Sequence, residues 1–190
     1  MEQLQAQPTE YGGICFRSKL EAKTAQALDN IGIPYIYEPE GFQLTNGLWY
    51  KPDFYLPDAK QFIECKGKMT ERDSAKICGL VHDTKFPVLV LSYDNAMLFV
   101  GGNYDTPDTL GVVVMNNDDY LFIGECNNCG KRYFYTEYDS YRCPCCNYYD
   151  GDHTLTQIAP VVSGAQLFDY GQEVVADKPI YQKIAENFNN

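Results

Sequence analysis

Two cysteine pairs constrain this chain more than any other feature. Cys126-x-x-Cys129-Gly130 precedes Cys143-Pro-Cys-Cys146, with thirteen residues between the pairs. Of the eight cysteines, five lie within 126–146, while Cys15, Cys65 and Cys78 are scattered. In a reducing compartment such clustering marks a metal site rather than a disulfide framework. Two C-x-x-C pairs offer the four thiolates that tetrahedral Zn²⁺ takes, here Cys126, Cys129, Cys143 and Cys146. Cys145 also lies within reach, and the spacing favours Cys146. An iron–sulfur cluster would have to recruit Cys15, and two tidy pairs argue against it. Gly130 permits one tight turn and Pro144 fixes the other, with Tyr133-Phe-Tyr135 between them reading as a short strand.

Residues 120–150 therefore form a small module whose folding free energy comes largely from its metal. Seven tyrosines between Tyr120 and Tyr149 set it apart. Its charge is balanced, with Lys131, Arg132 and Arg142 against Glu137, Asp139 and Asp150. Lys131-Arg132 beside the tyrosines could meet a nucleic-acid strand by charge and stacking. A stabilising or dimer-forming appendage is the plainer reading.

The rest of the 190 residues must supply the main core. With 45% apolar and 22% charged residues, the chain can bury one. Residues 1–13 read as a flexible lead-in, 14–119 as the main domain and 151–190 as a tail. Ser18 caps a helix expected over 17–31, with Phe16, Leu20, Ala27, Leu28 and Ile31 on one face and Gly32 and Pro34 ending it. Strands are expected at 33–37, 41–44 and 48–56, the last broken near Pro52, with Asn46-Gly47 as a hairpin turn. A strand at 61–66 precedes a helix opened by Thr70 and Asp73 and running to about Val81, with Ala75, Cys78 and Val81 inward. Residues 87–91 read as a buried strand, 97–100 and 112–115 as further strands, and 180–188 as a tail helix. Helix, strands, helix, strand implies a mixed α/β core around one central sheet.

Charge narrows the function classes. The net charge of −11 excludes a chain-wide basic footprint for nucleic acid. Residues 1–78 are nearly neutral, with nine Lys+Arg against eleven Asp+Glu; the remainder carries six against fifteen. A DNA enzyme of this balance needs metal ions to offset its own acidic site. No apolar run approaches a membrane span, and MEQLQAQPTE lacks the basic and apolar regions of a signal peptide. A cytoplasmic protein without membrane contact is expected.

The chemistry lies in Lys51-Pro-Asp-Phe-Tyr-Leu-Pro-Asp58 and Phe62-Ile-Glu-Cys-Lys-Gly67. Strand alternation puts Phe62, Glu64 and Lys66 on one face. A hairpin between the two segments brings Asp53 beside Glu64. Two adjacent carboxylates hold a hard divalent cation, and a lysine beside them can hold a phosphate or an attacking water. The backbone carbonyl of Cys65 can add an oxygen ligand, and Glu21 a third carboxylate. Against this, Ser18-x-x-Glu21 has capping-box spacing, which would turn Glu21 back toward the helix end. Arg17, Lys19, Lys51 and Lys68 flank the site and could contact phosphates, and Lys76 lies on a nearby helix face. The plain reading of each is a surface charge. His82 sits at a helix end, and neither it nor His153 is indicated as a general base.

Pro52-Asp53 followed by Glu64-Cys65-Lys66 resembles the PD-(D/E)XK nuclease motif. Ser18-x-x-Glu21 and Tyr37-Glu-Pro-Glu-Gly-Phe42 add to the match, which spans about residues 11–100. The likeness is to small phage-encoded members and phage junction-resolving endonucleases. It implies a restriction-endonuclease-like fold, a four-stranded mixed sheet flanked by helices, and Mg²⁺-dependent (or Mn²⁺-dependent) DNA endonuclease activity, with branched or nicked DNA as candidate substrates. Asp53 and Glu64 would then be metal ligands, Lys66 the catalytic lysine and Glu21 the helical glutamate. Residues 123–150 resemble a zinc ribbon. Cutting both strands would call for a homodimer. The competing expectation is a non-catalytic or partner-dependent zinc protein acting on a host or phage protein or nucleic acid.

Overall fold

A computed structural model of the chain describes residues 7–101, 113–115, 121–136, 142–149, 155–161 and 163–173. The helix expected at 180–188 lies outside the described residues, as do His153, Glu137, Asp139 and Asp150.

The elements in order are β1 (Thr9–Tyr11), β2 (Ile14–Phe16), α1 (Lys19–Ile31), β3 (Ile36–Tyr37), β4 (Phe42–Gln43), β5 (Trp49–Tyr50), β6 (Phe54–Leu56), β7 (Gln61–Cys65), α2 (Glu71–Thr84), β8 (Val88–Leu91), β9 (Ala96–Val100), β10 (Val113–Met115), β11 (Leu121–Cys126), β12 (Arg132–Thr136), β13 (Leu155–Pro160) and α3 (Gly164–Glu173). The class is mixed α/β, as the element order implied. The main sheet has six strands in the order β10-β9-β8-β7-β6-β3. All its pairings are antiparallel except β7 with β8, which α2 joins. It is wider than the four strands expected, because β3 and β10 add at its two edges.

Local chemistry accounts for most element ends. Ser18 caps α1 by accepting from the Glu21 N–H, and Gly32, left-handed at φ 75°, closes it. Thr70 and Asp73 form a full capping box on α2. That helix runs three residues past Val81, to Thr84, and its buried face is Ile77, Leu80 and Val81; Ala75 is exposed. Bulk decides the rotation: the two large apolar residues go inward and the small alanine goes out. Pro52 lacks an N–H for a ladder, and the expected 48–56 strand splits there. Its first part, β5, pairs with β4 around the Asn46-Gly47 turn, while β6 joins the main sheet.

Within the expected lead-in, residues 9–13 form β1 and a tight turn. Gly12 and Gly13, at φ 58° and 80°, turn β1 back onto β2 with Tyr11 opposite Ile14. Two successive positive φ values are the requirement of a tight hairpin, and Gly-Gly meets it without a steric cost.

The two faces of the main sheet are covered differently. Phe62, Val88, Val90 and Phe99 pack with Tyr50 against Ile77, Leu80 and Val81 of α2. Phe54, Leu56, Ile63, Leu89 and Leu91 pack under α1. The latter core is continuous with Leu121, Ile123, Phe134 and Cys143 of the cysteine module and with Leu167 and Phe168 of α3. β11 pairs with both β12 and β13, so the module's sheet has three antiparallel strands and reaches into the tail. α3 lies so close to α1 that a Cβ on Gly171 would stand 3.0 Å from the Ala27 Cα. Among the described residues, no helix is long and apolar enough to cross a membrane.

Candidate functional site

Asp53 and Glu64 meet where β6 begins and β7 ends. The ladder pairs Phe54 with Ile63, Tyr55 with Phe62 and Leu56 with Gln61, so one further step sets Asp53 opposite Glu64. Both carboxylates are buried, at 3% exposure each. A buried carboxylate needs compensation, and each receives it unevenly. Asp53 Oδ2 accepts the Cys65 N–H at 2.7 Å. Its Oδ1 accepts from the Arg17 guanidinium. Glu64 Oε1 pairs with Lys66 Nζ at 2.8 Å. Glu64 Oε2 is buried.

The electrostatics follow from this crowding. Burial first, then the neighbouring Glu64, pushes Asp53 up to about 7, although the Cys65 N–H and Arg17 pull the other way. Burial works against the Lys66 charge, but Glu64, Asp73 and Asp53 outweigh it and hold the ammonium above its ordinary pKa. Asp73 Oδ1 lies 3.4 Å from the Lys66 Nζ. A lysine so held is a cation that can orient water or meet phosphate; it does not take up a proton. Tyr50 is raised by burial, by the charge of Glu64 and by a hydrogen bond to it, so its buried hydroxyl faces the Glu64 carboxylate. Lys76 Nζ sits 5.9 Å from the centre of the Tyr50 ring, one ring removed from Glu64.

Glu21 occupies a different position from the pair. Its Oε1 accepts from the Ser18 hydroxyl at 2.9 Å. Its Oε2 accepts from the Tyr37 hydroxyl at 2.6 Å and from the Arg17 N–H at 3.2 Å. The carboxylate thus turns back onto its own helix end, in a variant of the capping box. It faces Asp53 across the Arg17 side chain, whose Nε is 3.8 Å from Glu21. The structure brings Asp53, Glu64 and Lys66 together and leaves Glu21 behind Arg17. Cys65 contributes its N–H to Asp53, and its thiol, pushed well up by burial and Asp53, lies 3.5 Å from the Thr24 hydroxyl.

Glu38, which motif reading counted only as part of the 37–42 segment, belongs to the site. It stands at φ 47°, in the left-handed region unusual for a residue with a side chain. Its N–H donates to the Asp53 carbonyl at 2.7 Å. Its Oε1 pairs with Arg17 Nε at 3.0 Å and its Oε2 with Lys51 Nζ at 2.8 Å. Its place opposite Asp53, just past the end of β3, was legible only once the β3–β6 pairing was known. Among the flanking cations, Arg17 and Lys51 join the site. Lys19 and Lys68 are exposed, and His82 pairs with Asp83 at 2.9 Å on the surface.

The four cysteine sulfurs Cys126, Cys129, Cys143 and Cys146 all lie within 4.8 Å of one another. Cys126 and Cys146 are 3.7 Å apart, and Cys129 and Cys143 3.8 Å. Tetrahedral bonds of about 2.3 Å to zinc set sulfurs about 3.8 Å apart, so the set fits. The two turns share one hydrogen-bond scheme. The Gly130 N–H reaches the Cys126 carbonyl at 2.9 Å, and the Asn147 N–H reaches the Cys143 carbonyl at 2.9 Å. Gly130 and Asn147 are both left-handed, at φ 66° and 59°. This common register makes Cys146 the counterpart of Cys129 and leaves Cys145 outside. Asn128 donates to the Cys146 sulfur, drawing that thiol down to about 6. Among the described residues, no other three potential ligands converge as these do. Glu21, Asp53 and Glu64 do not, because Arg17 spans Glu21 and Asp53.

The module is fastened to the main sheet by polar side chains. Gln61 Nε2 donates to the Phe134 carbonyl, and Gln61 Oε1 accepts the Phe134 N–H at 3.2 Å. Arg132 donates to the Ile31 carbonyl at 2.9 Å, at the end of α1. Lys131 pairs with Asp58 at 2.8 Å. A scan against protein-family models finds no match for the chain, and neither does a search of curated proteins.

Proposed function

We propose that this protein is a divalent-metal-dependent DNA endonuclease of the PD-(D/E)XK kind carrying a zinc ribbon. The observation that carries the reading is the pair of buried carboxylates, Asp53 and Glu64, set opposite each other where β6 begins and β7 ends. Two opposed buried carboxylates, each raising the cost of the other's charge, are a heavy electrostatic burden, and a divalent cation is what offsets it. The element order gives further support: β6 antiparallel to β7, then α2 as a crossover to parallel β8, is the arrangement the motif resemblance implies.

Asp53 and Glu64 would hold Mg²⁺ or Mn²⁺. When bound, such a cation lowers the pKa of water and stabilises charge on the attacking and leaving oxygens. The remaining work falls to the chain. Lys66, kept protonated by Glu64 and Asp73, orients the attacking water and offsets phosphate charge. Glu21 fixes the Arg17 backbone and supplies negative potential from behind it. Attack is in line on the scissile phosphate, with no covalent intermediate. The four thiolates hold structural zinc and, through Gln61 and Arg132, brace the start of β7 and the end of α1.

The test is cleavage of supercoiled plasmid and of a four-way junction by zinc-loaded protein, with Mg²⁺ and with no divalent cation besides zinc. Cutting that needs Mg²⁺ and is lost in Lys66→Ala supports the reading, and the preferred substrate defines its selectivity. Folded, zinc-loaded protein that cuts neither overturns a solitary nuclease and favours a partner-dependent or binding-only protein.

A further inference from the structure

Arg17 holds a place that no surface ion pair requires. Its side chain is 58% exposed, yet it bridges two different carboxylates through two different nitrogens. One guanidinium nitrogen meets Asp53 Oδ1, and Nε meets Glu38 Oε1 at 3.0 Å. With Cys65 on Oδ2, each oxygen of Asp53 already accepts one hydrogen bond. The guanidinium charge on Oδ1 competes with a cation for that oxygen while Arg17 remains. Glu21 is held elsewhere, its oxygens accepting from Ser18, Tyr37 and the Arg17 N–H.

The surroundings let the side chain move without releasing the chain. The Arg17 N–H is tied to the Glu21 carboxylate and to the Tyr37 hydroxyl, each at 3.2 Å. Glu38 is pinned beside Asp53 by its own N–H and kept ionised by Lys51. It can therefore retain the guanidinium after Asp53 lets go. The left-handed backbone of Glu38 is the kind of local strain that persists at sites with a task.

We propose that Arg17 is an exchangeable counter-ion: it neutralises Asp53 until a divalent cation takes that oxygen, and then turns about Glu38 to meet a phosphate of the DNA. This rests on the metal-site reading above, and the experiment separates the two.

Mn²⁺ binding to zinc-loaded protein is measured by the loss of the free-ion EPR signal, for wild type, Arg17→Gln, Arg17→Lys and Glu64→Gln. DNA binding is measured by anisotropy of a labelled duplex in Ca²⁺ across a salt series. Removing an exposed competing ion pair should tighten Mn²⁺ binding by up to about fivefold in Arg17→Gln, with Arg17→Lys between it and wild type. The same Arg17→Gln variant should bind DNA more weakly, with its salt slope reduced by about one. Unchanged or weaker Mn²⁺ binding in Arg17→Gln, where wild type shows binding that Glu64→Gln abolishes, overturns the counter-ion role alone. Wild type with no Glu64-dependent Mn²⁺ binding overturns the metal site and the counter-ion with it.

Discussion

Replacing Gln61 with alanine should uncouple the cysteine module from the main sheet. Gln61 is 5% exposed and opens β7. Its amide does what a neighbouring strand would do, satisfying both the N–H and the carbonyl of Phe134 on β12. Alanine leaves both backbone groups buried and unpaired. Each orphaned group costs about 1–3 kcal/mol, so the pair costs roughly 3 kcal/mol after partial relaxation. For a chain of this size each kcal/mol moves the midpoint by about 2–4 °C, giving a drop of roughly 6–12 °C. Thermal melts of zinc-loaded wild type and Gln61→Ala, followed by circular dichroism, measure it. Gln61→Glu is the informative companion. It keeps an acceptor for the Phe134 N–H but sets a carboxylate against the Phe134 carbonyl, and should lose at least as much at neutral pH. A drop below about 2 °C in Gln61→Ala, or a neutral Gln61→Glu, would refute the argument that these two bonds fasten the module.

The zinc register gives a second prediction: Cys146→Ser lowers bound zinc well below one equivalent by metal analysis, while Cys145→Ser retains it. A third concerns pH. Asp53 is raised in the folded chain to about 7 from the ordinary 3.8, so the folded state binds the extra proton in that interval and stability falls as pH rises through it. In Mg²⁺-free buffer, Asp53→Asn should therefore gain on wild type between pH 5 and pH 8 in paired melts; a constant gap would contradict the shift. A fourth is that Arg132→Met, which frees the Ile31 carbonyl at the end of α1, lowers the melting midpoint by a few degrees.

The Asp53, Glu64 and Lys66 part of the candidate site was legible because it obeys short-range rules. Glu64 and Lys66 share a face by strand alternation, and a hairpin had to bring Asp53 opposite. The knuckles were legible because Gly130 and the C-x-x-C spacing dictate local geometry. What escaped was whatever depends on distant docking. Gln61 reads as an ordinary first strand residue until β12 is seen beside it. Arg17 reads as a surface charge, and Glu38 as one residue of a matching segment with no role of its own, until β3 pairs with β6. Glu21 turns back to Ser18, as its capping-box spacing allowed, and its Oε2 stands 3.8 Å from the Arg17 Nε. β13 and α3 carried little signal because their partners are the module's sheet and α1, far away in sequence.

The most direct test of the account is the nicking rate of supercoiled plasmid by zinc-loaded protein across a Mg²⁺ titration, for wild type, Asp53→Asn and Glu64→Gln. The account predicts a saturable Mg²⁺ dependence in wild type and a loss of at least a hundredfold in both variants, with their folds intact by circular dichroism. Nicking that persists in Glu64→Gln, or that needs no Mg²⁺, would contradict it.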